Sequence, residues 1–81
     1  MRLRITRLGD GPGPGEVVVE VTTFEGETEQ VVVHLTGMEG DTIDVGYPLA
    51  SNDKQRLIEL PRESVSGKWR LWVPQSAMVD A

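Results

Sequence analysis

The chain has 81 residues, enough for one small domain with a thin hydrophobic core. It contains no cysteine, which excludes a disulfide framework and a thiolate metal site and favours a cytoplasmic setting. A formal net charge of −5 argues against non-specific binding to nucleic acid. No apolar run approaches the length of about 20 residues that crosses a bilayer, so we expect no membrane partner. The arginines at positions 2, 4 and 7 are not followed by an apolar segment, so we expect no signal peptide.

The charged residues are segregated along the chain. No lysine or arginine occurs from Leu8 to Asp53, a stretch with ten acidic residues, and all eight basic residues lie outside it. Two interpretations remain open. Either opposite charges pair between neighbouring strands, each pair contributing at most about 1 kcal/mol, or the molecule has one acidic and one basic side.

The first half of the chain predicts one strand, a loop and a hairpin. Residues 2–8 alternate in polarity, with Leu3 and Ile5 on the buried face. The Pro- and Gly-rich residues 9–15 predict a connector and not a phosphate-binding loop. Residues 16–24 and 28–36 are rich in β-branched types and flank a Glu-Gly turn, which indicates a β-hairpin. The expected inward side chains of this hairpin are Val17, Val19, Val21, Val31, Val33 and Leu35.

The second half predicts three more strands with irregular connections. Pro74 ends the last strand, and the tail after it predicts a 3₁₀ turn or an added edge strand. Residues 47–54 read as a loop, and 61–67 as a connection with room for one turn of helix. The predicted strands are 42–46, with Ile43 and Val45 inward, 55–60, and 68–73.

Six short strands without helical periodicity predict an all-β fold for residues 1–81. We expect a small, partly open β-barrel of the SH3-like or OB-like kind, with a small β-sandwich as the alternative. Closure into a barrel would protect valine-rich strand edges from pairing with other chains. In a barrel the first and last strands lie close together. This would bring four cations into one basic wall, formed by Arg2, Arg4, Lys68 and Arg70.

The last predicted strand carries both tryptophans. Alternation places Trp69 inward with Leu71, and Trp72 outward with Lys68 and Arg70. We expect Trp69 to anchor the core, where it would bury about 200 Å². An exposed Trp72 beside cations is typical of a stacking platform for single-stranded nucleic acid and of a protein interface. Alternatively, Trp72 covers one end of the fold with Arg70 on its face as a cation–π pair.

Few residues are candidates for catalysis or metal binding. His34 is the sole histidine and has no serine near it in sequence, so we expect a solvated strand residue and no general base. The carboxylates Glu39, Asp41 and Asp44 surround a turn, but their spacing is not that of an EF-hand loop. We therefore predict no catalytic residue, no metal site and no cofactor, and a small hydrolase is the least favoured function.

The sequence RLWVPQS at residues 70–76 resembles the endings of small phage and bacterial proteins, which implies a prokaryotic or phage origin. Short acidic proteins of that setting often inhibit or adapt a larger complex. We expect a non-enzymatic module that binds a protein partner through a surface, with single-stranded nucleic-acid binding as the alternative. The candidate surfaces are an acidic hairpin able to imitate a phosphate backbone, with Glu20, Glu25, Glu27 and Glu29, and the basic wall with Arg2, Arg4, Lys68, Arg70 and Trp72.

Overall fold

The computed structural model describes residues 1–79, which form ten short strands and two 3₁₀ turns. The all-β prediction is confirmed. No helix in this part of the chain is long and apolar enough to cross a membrane. The 3₁₀ turns are Leu35–Gly37 and Gln75–Ala77. The strands are β1 (Arg2–Arg4), β2 (Thr6–Asp10), β3 (Glu16–Thr22), β4 (Thr28–His34), β5 (Met38–Glu39), β6 (Thr42–Asp44), β7 (Ala50–Ser51), β8 (Gln55–Glu59), β9 (Arg70–Pro74) and β10 (Met78–Val79).

Within the described residues the strands pair into three small antiparallel sheets, and none of these sheets closes into a barrel. The first sheet has the strand order β10-β1-β6-β5. The second has the order β2-β3-β4, and the third the order β7-β8-β9. The first strand of the chain therefore pairs with the last described strand, β10, and not with the tryptophan-bearing strand β9.

The first predicted strand bends at Ile5 and serves two sheets. Leu3 pairs with β6 in the first sheet, whereas Thr6 pairs with β3 in the second. Between them, the Ile5 N–H donates to the carbonyl of Asp41 at 2.8 Å. Leu3 and Ile5 are both buried as predicted, because the alternation of side chains continues through the bend.

The predicted hairpin is confirmed, with β3 and β4 paired in register along their full length. The valines expected to face inward are buried on both strands. Leu35 is the exception, since 45% of it is exposed. The reason is that β4 ends at His34, whose side chain accepts a hydrogen bond from the Thr36 N–H and so caps the following 3₁₀ turn.

One aliphatic cluster joins the three sheets. Leu3 and Ile43 come from the first sheet, Val19 from the second, and Ile58 and Val73 from the third. Burial of each such side chain contributes about 1.5–3 kcal/mol to stability. The complete cluster is Leu3, Ile5, Val17, Val19, Val21, Val31, Val33, Ile43, Ile58, Leu60, Leu71 and Val73.

The connections differ in detail from the prediction. The two-residue strands β5 and β7 lie in segments predicted as a turn and a loop, because two residues are too few to display alternation. Residues 61–67 form turns without helix. The tail forms both predicted structures, first the 3₁₀ turn and then the edge strand β10, while Asp80 and Ala81 lie outside the described residues.

Ion pairs connect the basic ends of the chain with its acidic middle. Five pairs lie within 4.0 Å among the described residues, and four of them join a cation outside the acidic stretch to a carboxylate within it. This arrangement favours the interpretation in which opposite charges pair with each other over the one in which the molecule has one acidic and one basic side. The four pairs are Arg2–Glu39, Arg7–Asp10, Arg62–Glu16 and Lys68–Glu29.

Candidate functional site

The tip of the hairpin between β3 and β4 is closed by hydrogen bonds between Thr23 and Glu27. The Thr23 N–H donates to the Glu27 carbonyl at 2.8 Å, and the Glu27 N–H donates to the Thr23 hydroxyl at 3.1 Å. Gly26 has a φ of 87°, which a residue with a side chain rarely adopts. Glu25 and Glu27 are consequently presented at the surface on an ordered turn.

This tip docks against β9 and forms one wall of a cleft. The Phe24 N–H donates to the Trp72 carbonyl at 2.8 Å, which fixes the turn beside the strand. The space between them has a volume of about 230 Å³. We call it the aromatic cleft; its lining residues are Thr23, Phe24, Glu25, Glu27, Gln55, Lys68, Arg70, Leu71 and Trp72.

Three of the four aromatic residues of the chain line the aromatic cleft or the depression beside it. Phe24 and Trp72 are each 39% exposed, and Trp69 is 50% exposed. Alternation along β9 buries Leu71 and leaves Trp72 outward, as predicted. Trp69 lines a shallow depression with Arg70, which also lines the aromatic cleft, so the two hollows adjoin.

The prediction that Trp69 anchors the core is wrong. Strand β9 begins only at Arg70, so Trp69 lies in the preceding bend, where strand alternation no longer applies. Its indole N–H instead donates to the Glu63 carboxylate at 2.8 Å. The prediction that one indole lies inside and the other outside therefore fails, because both are exposed.

Among the described residues, the cations that line the aromatic cleft form ion pairs, whereas its two glutamates do not. The Nζ of Lys68 lies 3.8 Å from the Oε2 of Glu29, and the Nε of Arg70 lies 3.3 Å from the Oε2 of Glu59. Glu25 and Glu27 form no ion pair within residues 1–79. The cations are thus offset by their own partners, and the charge left without a partner at the cleft is negative.

Of the residues predicted for the basic wall, Lys68, Arg70 and Trp72 come together in the aromatic cleft, while Arg2 and Arg4 do not line it. Arg2 donates to the Thr42 hydroxyl at 2.7 Å within the first sheet. Arg4 donates to the carbonyl of Ser76 at 3.1 Å. Both arginines therefore make their contacts away from the aromatic cleft, Arg2 with β6 and Arg4 with the 3₁₀ turn before β10.

The four acids predicted for the hairpin surface separate into three environments. Glu25 and Glu27 line the aromatic cleft. Glu20 lines a different hollow together with Arg4. Glu29 is buried, with 7% exposure, because alternation from Val31 places it on the inner face of β4. The spacing of two residues from Val31 already indicates the inner face. The prediction placed Glu29 at the surface because its side chain is charged.

Buried Glu29 fastens the segment that leads into the aromatic cleft. Its carboxylate accepts hydrogen bonds from the hydroxyls of Ser64, at 2.9 Å, and Ser66. The Ser64 hydroxyl in turn accepts from the Lys68 N–H at 2.9 Å, and the Val65 N–H donates to the Gln30 carbonyl. Residues 64–68 are thereby docked onto β4, directly before Trp69.

These contacts also set the ionisation of Glu29. The hydrogen bond from Ser66 lowers the pKa of Glu29 below its ordinary value of 4.5, and Ser64 and Lys68 act in the same direction, while burial opposes them. A lowered pKa in the folded state stabilises the fold above the unfolded pKa. That stabilisation disappears as the pH falls through the folded pKa.

We therefore expect acid to destabilise the wild-type protein more than a Glu29→Gln variant. Urea unfolding measured between about pH 6 and about pH 3 should give a larger loss of unfolding free energy for the wild type. Glutamine cannot ionise, so the difference between the two profiles isolates Glu29 from the other carboxyls. Parallel profiles would contradict the assignment.

The other candidate residues have structural partners. The His34 ring nitrogen Nδ1 lies 2.9 Å from the Thr36 hydroxyl, as part of the cap of the 3₁₀ turn. In the part of the chain that the structure describes, no group of three or more histidine or carboxylate side chains is arranged to hold a metal ion. The sequence did not predict roles for Phe24, Glu59 or Glu63. Phe24 lines the cleft, Glu59 pairs with Arg70 and Glu63 accepts from Trp69, and these contacts join separate segments of the chain.

Comparisons with known proteins add no assignment. No protein-family model matches the sequence, and no curated protein or solved structure matches the chain. The geometry of the aromatic cleft is therefore the basis for assigning a function to this chain.

Proposed function

We propose that this chain is a non-enzymatic protein-binding module whose contact surface is the aromatic cleft with the adjoining Trp69. The observation that carries the proposal is the exposure of Phe24, Trp69 and Trp72 on neighbouring surfaces while the core is built from aliphatic residues. Aromatic residues and arginine are the side chains most enriched at the centres of protein interfaces. In the setting expected from the sequence, the module would act as an inhibitor or accessory subunit of a larger phage or bacterial complex.

The contacts that position these residues support the same proposal. Trp69 is held by Glu63, Phe24 is held through its backbone by Trp72, and Trp72 projects from a paired strand. A backbone that is already held in the bound arrangement loses little conformational entropy when a partner binds. A preformed aromatic surface is therefore suited to recognition without rearrangement.

Single-stranded nucleic acid is the alternative partner, because Trp72 lies beside Lys68 and Arg70. The opposite wall of the cleft, however, carries Glu25 and Glu27, which would repel phosphate groups. The two cations already have carboxylate partners, so a phosphate would have to compete with those ion pairs. These charges favour a protein partner.

Mimicry of a phosphate backbone by the acidic hairpin is less well supported. Such mimicry needs a row of exposed carboxylates facing the cations of a target. Glu29 is buried and Glu20 lies at another hollow, so only Glu25 and Glu27 remain on this surface. We therefore assign these two acids to the rim of the aromatic cleft.

For the architecture, we propose a partly open barrel of the SH3-like or OB-like kind, with a small sandwich as the alternative. Two features support wrapping of the sheets around one centre. The chain passes from the first sheet to the second through the bend at Ile5, and the 3₁₀ turn at Gln75–Ala77 returns it to the first sheet as β10. Each sheet also contributes side chains to the same aliphatic cluster.

Peptide selection tests the proposed contact surface. Peptides selected from a random displayed library against the wild-type protein are expected to bind Trp72→Ala about 10- to 30-fold more weakly, because exposed tryptophans anchor interfaces. Binding is measured by isothermal titration calorimetry. Tyr47→Ala is the matched control, since Tyr47 is 85% exposed and does not line the cleft. Circular dichroism verifies the fold, and Phe24→Ala serves as a second variant.

Two outcomes would overturn this proposal. One is a set of selected peptides that bind Trp72→Ala and Phe24→Ala as tightly as the wild type. The other is binding of labelled single-stranded DNA at low salt, tighter than about 100 μM, that weakens steeply with salt and is lost in Trp72→Ala. The second result would establish the nucleic-acid alternative.

A further inference from the structure

We infer that the aromatic cleft receives an extended, proline-containing segment of the partner that carries an arginine or lysine. This inference rests on the proposed function, since it names the kind of protein segment that the cleft would bind. Four properties of the cleft support it: its size, the state of the neighbouring strand edge, the exposed indole of Trp72, and the charge left without a partner.

The size of the cleft limits its occupant. The cleft alone has a volume of about 230 Å³, below the range of about 300–1,000 Å³ that is usual for small-molecule sites, and the adjoining hollow at Trp69 adds an open volume of about 460 Å³. An α-helix with its side chains is about 10 Å in diameter and needs a longer apolar groove. The space between Phe24 and Trp72 is instead suited to one or two side chains of an extended segment.

The edge of β9 is already occupied at the cleft. One side of β9 pairs with β8, and on the other side the Trp72 carbonyl accepts from the Phe24 N–H at 2.8 Å. A partner strand therefore cannot add to the sheet at Trp72. A polyproline II segment has no internal hydrogen bonds and docks by placing its prolines on aromatic side chains, so it needs no free sheet edge.

Trp72 provides both parts of such a contact. Its ring is partly exposed in the cleft, and its indole N–H donates no hydrogen bond to another described residue. A polyproline II segment exposes backbone carbonyls that need donors. The ring can therefore pack on a proline while the indole N–H donates to a neighbouring carbonyl.

The negative charge of Glu25 and Glu27 at the rim of the cleft indicates that the partner segment carries an arginine or lysine. Glu25 and Glu27 are exposed on the ordered turn, without ion pairs among residues 1–79, whereas Glu29 and Glu59 offset Lys68 and Arg70. An arginine or lysine near the prolines would meet the two unpaired carboxylates. Exposed ion pairs of this kind are weak and are screened by salt, so the cation adds selectivity to an affinity that comes mainly from the aromatic contacts.

Fluorescence anisotropy with labelled designed peptides tests this inference. The probe is a peptide of four Pro-Pro-Arg repeats, and the comparison peptides have four Pro-Pro-Glu or four Gly-Gly-Arg repeats. We expect the Pro-Pro-Arg peptide to bind the wild type at least about tenfold more tightly than either comparison peptide. Loss of the prolines removes the aromatic contacts, and reversal of the charge places acid against acid.

Two double variants separate local recognition from attraction to the net charge of the protein. Glu25→Gln/Glu27→Gln is expected to weaken binding of the Pro-Pro-Arg peptide about three- to tenfold. Glu20→Gln/Asp41→Asn removes the same formal charge at a different hollow and should leave the affinity unchanged. Equal effects of the two double variants would overturn the inference, because they would indicate non-specific attraction.

The outcome distinguishes this inference from the proposed function. Failure of the Pro-Pro-Arg peptide to bind, while peptides from the random library still depend on Trp72, would overturn only the proline-and-cation inference. If no selected peptide depends on Trp72 and the Pro-Pro-Arg peptide does not bind, both proposals fail. Binding that depends on Trp72 but not on the two glutamates would refute the cationic part.

Discussion

Glu29→Ala is expected to lower the free energy of unfolding by about 1–3 kcal/mol, because the buried hydroxyl of Ser64 would lose its charged acceptor and Ser66 would lose a hydrogen bond. Ser64 and Ser66 both donate to this carboxylate, and Lys68 lies 3.8 Å from it. The substitution would also remove the side-chain contacts of residues 64–68 with β4, and would leave the hydrogen bond from the Val65 N–H to the Gln30 carbonyl. Urea unfolding followed by circular dichroism measures the change.

The matched control for this experiment is Glu27→Ala on the same hairpin. Glu27 is exposed and forms no ion pair in the described part of the chain, so its replacement should change the unfolding free energy by no more than about 0.5 kcal/mol. If the two variants are equally stable, Glu29 does not fasten the segment. The serines would then have another role.

Ile58→Ala is expected to cost about 2–5 kcal/mol, through lost burial and the cavity that the smaller side chain leaves. Ile58 is fully buried on β8 and pairs with Leu71 of β9. The total stability of a domain of this size is about 4–12 kcal/mol, so the variant would lose a large share of that stability and unfold at a lower temperature. Thermal unfolding by differential scanning calorimetry provides the measurement.

Two control variants accompany Ile58→Ala, one with a smaller change at the same position and one at an exposed position. Ile58→Val removes one methylene and should cost about 0.5–1.5 kcal/mol. Val65→Ala changes a side chain that is 72% exposed and should be close to neutral. A loss from Ile58→Ala no greater than that from Val65→Ala would contradict the assignment of Ile58 to the shared aliphatic cluster.

Local periodicity predicted those parts of the fold where several residues alternate. The valines of β3 and β4 alternate without interruption, and the burial of Val17, Val19 and Val21 follows from that pattern. Prediction failed where a strand begins or ends. Leu35 and Trp69 continue the alternation in sequence, but the strands end at His34 and begin at Arg70.

The aromatic cleft could be predicted only in part. Trp72 and Arg70 lie on the outer face of one strand, and the sequence indicates this directly. Phe24 joins them through a hydrogen bond between segments separated by almost fifty residues, which no local pattern encodes. Glu29 and its serine partners likewise meet only in the folded chain, because a loop closes over the inner face of β4.

Nuclear magnetic resonance of the two indole N–H groups tests the contact surface most directly. The chain has two tryptophans, so each indole gives one resolvable signal in a ¹⁵N-labelled sample. During titration with a selected peptide, we predict that the Trp72 signal shifts most, together with the backbone amides of residues 23–27. Shifts confined to the segment around Tyr47, with both indole signals unchanged, would show that binding occurs elsewhere on the molecule.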